Sequence, residues 1–231
     1  MHEYKMVLQI IGVADMIKEC LKYIRDLPKS VYFNYRCLPL KQAKTLPVRV
    51  RYDTKFGILD KNSVSINGTC KRSMITLGYR GGQFVSANRG YIGISGGKII
   101  FNGTCNFGEG FGIAVEGGTL IFGDDFYTNR NFMAECQKKI EFGNDVLLGW
   151  NVSIRDTDGH SVNGKPFKSE ITIKNHVWIA SGVTVLKGSF ITEDSVIACN
   201  STVCGLQMQE NKCLIAGTPA KIIRSHVEWT E

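Results

Sequence analysis

The chain has 231 residues, 43% of them hydrophobic and 21% charged, a globular composition that excludes a mainly disordered protein. The net charge of +7 is spread along the chain rather than concentrated in one run, so it suits a phosphate-bearing cofactor or an anionic acceptor, and we expect no nucleic-acid partner. The eight cysteines form no C-x-x-C pair and are expected to be buried thiols in a reducing compartment. The apolar run from Met6 to Ala14 is too short to span a bilayer and lacks the features of a signal peptide. We therefore predict a cytoplasmic protein without a transmembrane segment.

The first predicted element is a helix at the N-terminus. Its apolar residues recur in steps of four and three, which places them on one helical face. These residues are Ile10, Ala14, Ile17, Leu21 and Ile24. We expect this face to pack on the protein itself and Pro28 to end the helix. Residues 1–60 are thus predicted to be a helix followed by an irregular connector.

From about Val64 the sequence changes to short apolar pairs separated by turn residues, and the second member of each pair soon recurs every six residues. These markers are Phe122, Thr128 and Ala134, then Phe142, Leu148 and Ile154, and then Ile173, Ile179, Val185, Ile191, Ile197 and Val203. A helix of about 3.6 residues per turn cannot keep a stripe on this period. A short strand followed by a corner can, and three such sides close one coil. We predict an all-β solenoid, a parallel β-helix over residues 61–214, with a short C-terminal tail over 215–231.

The six-residue period breaks at IRDTDGHSVNGKPF, residues 154–167. The markers Ile154 and Ile173 are 19 residues apart, so about a dozen residues leave the core as a loop at about 155–170. This loop contains His160, one of only four histidines. The break in the period therefore presents His160 outside the regular coils.

Three segments resemble the hexapeptide-repeat acyltransferases: IRDTDGH at 154–160, the repeats at 171–203 that include VWIASG, and IAGTPAKIIR at 215–224. They look most like the branch that O-acetylates sugars, which includes the galactoside, maltose, capsule and lipopolysaccharide acetyltransferases. The resemblance implies a left-handed parallel β-helix and a homotrimer. It also implies that acetyl-CoA lies in the groove between neighbouring subunits and that no metal takes part.

The resemblance implies that His160 is the general base. A neutral imidazole, with an ordinary pKa of about 6.5, can take the proton of a sugar hydroxyl as that hydroxyl attacks the thioester. Asp156 and Asp158 are candidates to orient the ring, although D-T-D-G also favours a tight bend and a backbone carbonyl would serve equally well. No cysteine occupies a family nucleophile position, so direct transfer in a ternary complex is expected.

The resemblance also implies binding residues for both substrates. The acetyl-CoA candidates are Trp178, Ala180, Ser181, Gly182, Cys199, Asn200, Lys221 and Arg224. The acceptor candidates are Asn129, Asn131 and Trp150. The chain departs from the family pattern at Cys204-Gly205, where relatives often carry Thr-Lys, and at Gln137, where sugar acetyltransferases carry an acidic residue.

Three alternatives remain beside the predicted acetylation of a sugar in capsule or O-antigen biosynthesis. The γ-type carbonic anhydrases share the fold but need three histidines at zinc, whereas the repeat region holds only His160 and His176. A small-molecule acetyltransferase acting on serine or a xenobiotic alcohol would use the same chemistry. A non-catalytic β-helix scaffold would bind no acyl-CoA.

Overall fold

The structure is a computed structural model that describes residues 2–80 and 88–230. Its helices are α1 (His2–Cys37) and α2 (Leu40–Ala43). Its strands are β1 (Val48–Val50), β2 (Lys55–Leu59), β3 (Val64–Ile66), β4 (Ile75–Arg80), β5 (Tyr91–Ser95), β6 (Lys98–Phe101), β7 (Cys105–Gly108), β8 (Gly112–Glu116), β9 (Thr119–Phe122), β10 (Phe126–Thr128), β11 (Met133–Cys136), β12 (Lys139–Phe142), β13 (Val146–Leu148), β14 (Ser153–Arg155), β15 (Ile171–Ile173), β16 (Val177–Ile179), β17 (Thr184–Leu186), β18 (Phe190–Ile191), β19 (Val196–Ile197), β20 (Thr202–Cys204), β21 (Leu214–Gly217) and β22 (Ala220–Arg224).

Successive strands turn through three sheets, so that up to β20 every third strand joins the same sheet. Sheet A has the order β1-β4-β7-β10-β13-β16-β19-β21-β22, sheet B the order β2-β5-β8-β11-β14-β17-β20, and sheet C the order β18-β15-β12-β9-β6-β3. All neighbours pair in parallel except β21 and β22, which form an antiparallel hairpin at the end of sheet A. The predicted parallel β-helix is confirmed. It begins at Val48 rather than at residue 61, because the apparently irregular connector already contributes β1 and β2.

The core is the interior of the prism, and every marker of the six-residue period points into it. Each marker from Phe122 to Val203 is buried. In the coils around β6–β12 the core is a column of phenylalanines, in which Phe122 stacks on Phe101 at 5.4 Å and on Phe142 at 5.3 Å between ring centroids. Large stacked rings bury apolar area in each successive coil, which stabilises a fold whose contacts are made mainly between adjacent coils.

Helix α1 corrects two expectations. It continues through Pro28 to Cys37, and the predicted apolar face is exposed at Ile17, Leu21 and Ile24. The side chains of Ile10 and Ala14 lie outside the described part of the chain. The helix persists beyond the proline because its next two turns bind the first strand of sheet A. No helix in the described part of the chain is both long and apolar enough to cross a bilayer.

The face of α1 that contacts the solenoid buries the apolar side chains of Phe33 and Cys37, and its polar side chains cap an open sheet edge. The Asn34 side chain donates to Val48 O at 2.6 Å and accepts from Val48 N at 3.1 Å, while Ser30 Oγ accepts from Val50 N at 2.9 Å. One turn earlier, Asp26 accepts from Arg49 at 3.0 Å. Unpaired backbone groups at a sheet edge invite pairing with another chain, so these side chains close the first coil against aggregation.

Replacement of Asn34 with Leu is expected to destabilise the protein by about 2 kcal/mol or more. The substitution leaves the N–H and C=O of Val48 buried without partners, and each such group costs about 1–3 kcal/mol. The measurement is the free energy of unfolding in urea, with Lys41→Ala, an exposed substitution on α2, as the control. An Asn34→Leu protein as stable as the control would show that water or another group satisfies this edge.

Candidate active site

An open groove runs along the corner of the prism between sheet A and sheet B, at the turns that connect the end of each sheet A strand to the next sheet B strand. Its wall is a column of outward-facing side chains from adjacent strands of sheet A. Leu147 of β13 is in register with Trp178 of β16, which is in register with Val196 of β19 and then Leu214 of β21. These side chains stack in line because residues at matching positions of successive coils face the same way.

The corner itself is built from small residues, which leaves a groove of about 610 Å³. Gly149, Ala180, Ser181, Ala198 and Cys199 line it. Gly149 cannot carry a side chain, because an added Cβ would lie 2.6 Å from the backbone N of Ser181. The groove is long, narrow and largely apolar, which fits the pantetheine arm of a CoA thioester.

The structure brings together six of the sequence-predicted binding residues in this groove. They are Asn129, Trp150, Trp178, Ala180, Ser181 and Cys199. Trp150 and Trp178 are 40% and 38% exposed, so part of each ring is accessible to a ligand or a neighbouring subunit. The guanidinium of Arg130 lies 5.3 Å from the centroid of the Trp150 ring.

The remaining asparagine and glycine candidates form the corner that supports the groove. Asn131, Gly182 and Asn200 all have positive φ angles, of 57°, 75° and 56°. Asn131 Nδ2 donates to Asn151 Oδ1 at 2.9 Å, which continues an asparagine ladder from coil to coil. Asparagine and glycine tolerate this left-handed backbone, so a turn requirement explains these residues without a ligand.

The tail places two cations beyond the last coil. Lys221 and Arg224 are exposed on β22, and Arg224 is in register with Leu214, the last residue of the groove wall. Guanidinium and ammonium groups at the end of an apolar groove are suited to bind phosphates. Lys221 and Arg224 are therefore placed where they could meet the phosphates of a nucleotide at the tail end of the groove.

The interruption in the period is a hairpin over residues 156–170, between β14 and β15. Thr157 forms an isolated antiparallel bridge with Lys168, and Asp158 N donates to Phe167 O at 2.8 Å. His160 lies beyond this neck and is exposed. Within the described part of the chain, its ring makes no hydrogen bond or ion pair, so both nitrogens are available for an acceptor or for a neighbouring subunit.

Asp156 anchors the base of this hairpin and does not reach His160. The Asp156 side chain is fully buried, and its two oxygens accept from Gln137 N and Lys138 N, each at 2.7 Å. The thiol of Cys136 lies 3.5 Å from the same carboxylate. Burial and the nearby Asp156 raise the pKa of the Cys136 thiol to about 12, which makes that thiol a poor nucleophile at neutral pH.

Asp158 holds the neck of the hairpin through Lys187, which lies just after β17 in the next coil. Lys187 Nζ lies 2.8 Å from Asp158 Oδ2 and donates to Pro166 O at 2.8 Å. One ammonium group therefore joins both arms of the hairpin. It binds Asp158, two residues before His160, and Pro166, six residues after it. Among the described residues, neither aspartate hydrogen-bonds to the imidazole, and the two carboxylates hold the base and the neck of the hairpin instead.

Substitution of Lys187 with Met should loosen the neck and displace His160 but not the groove. With His160 in its expected role as general base, we expect kcat to fall about tenfold or more while the KM for acetyl-CoA stays within about twofold. Steady-state kinetics measures both constants. Lys98→Met, an exposed change on sheet C, is the control. A change in KM alone would contradict a role for Lys187 in placing the loop.

His160 and the groove lie at opposite ends of sheet B. The groove occupies the corner that precedes β14 and β17, whereas the hairpin leaves from the far end of β14. A three-residue strand spans about 10 Å. Within the described residues His160 does not line the groove. His176, the other repeat-region histidine, lies at a third corner, between sheets C and A.

Similarity to known proteins agrees with this architecture. A lipopolysaccharide biosynthesis O-acetyl transferase candidate of Escherichia coli, WbbJ, is 30% identical over 151 residues, which cover 56% of this chain and 76% of WbbJ. The galactoside O-acetyltransferase of E. coli is 34% identical over 114 residues, 47% of this chain and 55% of that protein. A candidate acetyltransferase of Saccharomyces cerevisiae is 35% identical over 118 residues, 48% of this chain and 59% of that protein. No protein-family model matches the chain.

The chain belongs to the hexapeptide-repeat acyltransferase family, in the branch of the O-acetyltransferases, and its prism is a parallel β-helix. The chain spans only 59% of the length of the S. cerevisiae relative and 55% of the length of the galactoside O-acetyltransferase.

The sequence did not predict part of the groove lining, or the contacts by which Lys187 holds the hairpin. Leu147, Val196, Leu214 and Ala198 line the groove but were not among the candidates. Val196 and Leu214 follow Trp178 at intervals of 18 residues, one full coil, so the period itself could have identified them. Lys187 carries no such signal, since its partners lie across a loop of irregular length.

Proposed function

We propose that this protein is an acetyl-CoA-dependent O-acetyltransferase that acetylates a sugar hydroxyl in the biosynthesis of a surface polysaccharide, capsule or O-antigen. The observation that carries the proposal is the pairing of two features. One is an apolar groove with an exposed tryptophan and terminal cations, and the other is a projecting hairpin that presents an exposed histidine. The relationship to WbbJ and the galactoside enzyme supports a carbohydrate acceptor. A cytoplasmic site of reaction fits this proposal, since acyl-CoA donors are available there.

In the proposed reaction His160 removes the proton of the acceptor hydroxyl as the hydroxyl oxygen attacks the thioester carbonyl. The carbon–sulfur bond then breaks, and the imidazolium returns the proton to the departing thiolate. The donor supplies the acetyl group and a thiol leaving group. The chain's part is to place the two substrates: Trp178 and the small corner residues hold the donor arm, and Lys221 and Arg224 bind its phosphates.

We propose that each site forms between two copies of the chain in a homotrimer. Since His160 and the groove occupy the two ends of sheet B, rotational symmetry can place the hairpin of one copy over the groove of the next. Every copy then contributes its hairpin to one site and its groove to another. Asn129 and Trp150 line the groove close to this junction and are the proposed contacts to the acceptor.

The test is acceptor-dependent release of free CoA thiol from acetyl-CoA by the purified protein. Oligosaccharides from capsule and O-antigen repeats are compared with serine and with a macrolide alcohol at equal concentration. Release that requires a saccharide, with acetyl recovered as its ester, is the expected result. Release with only serine or the macrolide would mean that the acceptor is a small molecule rather than a sugar. No binding of acetyl-CoA would indicate a scaffold.

A further inference from the structure

The C-terminal segment after β22 folds back along sheet A and places an indole beside the groove. Val227 N donates to Lys212 O at 2.9 Å, and Trp229 Nε1 donates to His176 O at 3.2 Å. The Trp229 ring stacks on the His176 ring, with centroids 4.2 Å apart and planes 9° from parallel. The contacts between Trp229 and His176 join residues 53 positions apart in sequence, so the segment is fixed by tertiary contacts rather than by its own repeat.

His176 is itself held in place as the platform for this indole. Its Nδ1 lies 2.9 Å from Asp194 Oδ1 and its Nε2 lies 3.7 Å from Asp145 Oδ2, so a carboxylate faces each ring nitrogen. The backbone of His176 has a positive φ of 51°, which turns the corner between sheets C and A. Ring, corner and carboxylates together fix the plane on which Trp229 stacks.

The position of Trp229 places it against Trp178, the exposed tryptophan of the groove wall. The two indole centroids are 6.1 Å apart, with planes inclined at 41°. Along the chain, His176 precedes Trp178 by two residues, whereas the groove corner at Ala180 follows it by two. Trp178 therefore lies between the Trp229–His176 pair on one side and the groove on the other.

We infer that Trp229 is a positioning residue for acetyl-CoA binding: stacked on His176, it fixes the rotamer of Trp178 and so shapes the groove. This inference rests on the proposed function. An outward-facing indole on a short strand can adopt several rotamers, and ordering one of them on binding weakens affinity. The contact with Trp229 orders Trp178 before the donor arrives.

The experiment measures the Kd and KM for acetyl-CoA, together with kcat, in Trp229→Ala, Trp229→Phe and the wild type. An aromatic contact of this kind corresponds to about a 2- to 10-fold change in affinity. We expect Trp229→Ala to raise Kd and KM by about that factor with kcat nearly unchanged, and Trp229→Phe to restore most of the loss. His226→Asn is the control, because His226 is exposed in the same segment and asparagine tolerates its positive φ of 58°.

A second variant keeps the test decisive if Trp229→Ala unfolds. His176→Asn removes the stacking ring, and asparagine tolerates the positive φ at this corner. It should raise the KM as Trp229→Ala does. Wild-type protein that binds acetyl-CoA while both variants bind it equally well would overturn the positioning role alone. Wild-type protein that does not bind acetyl-CoA would overturn the proposed function and this inference with it.

Discussion

Replacement of His160 with Ala is expected to lower kcat by about 10²- to 10⁴-fold, the range typical of a lost general base. The KM for acetyl-CoA should change little, because His160 lies outside the groove. The melting temperature should also be unchanged, since the imidazole is exposed and makes no hydrogen bond or ion pair in the described part of the chain. Steady-state kinetics and thermal denaturation measure these quantities.

The control for this substitution is Val162→Ala, which shortens a side chain that is 65% exposed in the same hairpin. It should retain wild-type kcat. Equal loss in both variants would mean that the loop conformation matters and the imidazole does not. Wild-type activity in His160→Ala would remove this residue from the reaction.

Substitution of Ala198 with Trp is expected to raise the Kd for acetyl-CoA by about 100-fold or more, because an indole would occupy the narrow part of the groove. Ala198 lies directly after β19, lines the groove and points away from the core, so the larger side chain can be accommodated without disturbing the coils. Isothermal titration calorimetry or equilibrium dialysis gives the affinity.

The matched control is Glu116→Trp, which adds the same indole at an exposed position at the end of β8, away from the groove. It should bind acetyl-CoA like the wild type. Normal affinity in Ala198→Trp would show that the donor binds elsewhere on the prism.

The prism could be predicted from sequence because its signal is local and repeated. Each coil repeats the same inward positions, so the markers from Phe122 to Val203 report burial directly, and the 19-residue gap between Ile154 and Ile173 locates the hairpin. The groove candidates near Trp178 came instead from the resemblance of VWIASG to the hexapeptide-repeat acyltransferases, which the period alone does not supply.

Helix α1 and the C-terminal segment could not be predicted in the same way. The apolar stripe at Ile17, Leu21 and Ile24 has the spacing of a packed face, yet these side chains are exposed. The helix contacts the solenoid further along, through buried Phe33 and the polar side chain of Asn34. The sequence around Trp229 does not predict its stacking on His176, because the two residues are 53 positions apart. Long-range polar and aromatic pairs leave no periodic trace.

The central claim is that catalysis joins the hairpin of one copy to the groove of the next, and co-expression of two inactive variants tests it. His160→Ala retains the groove, and Ala198→Trp retains the histidine. In oligomers mixed at random from equal amounts, half of the hairpins and half of the grooves are intact, so about one quarter of the shared sites should be active. Recovery of about that fraction of wild-type activity is the predicted result. A mixture as inactive as either variant alone would contradict the claim.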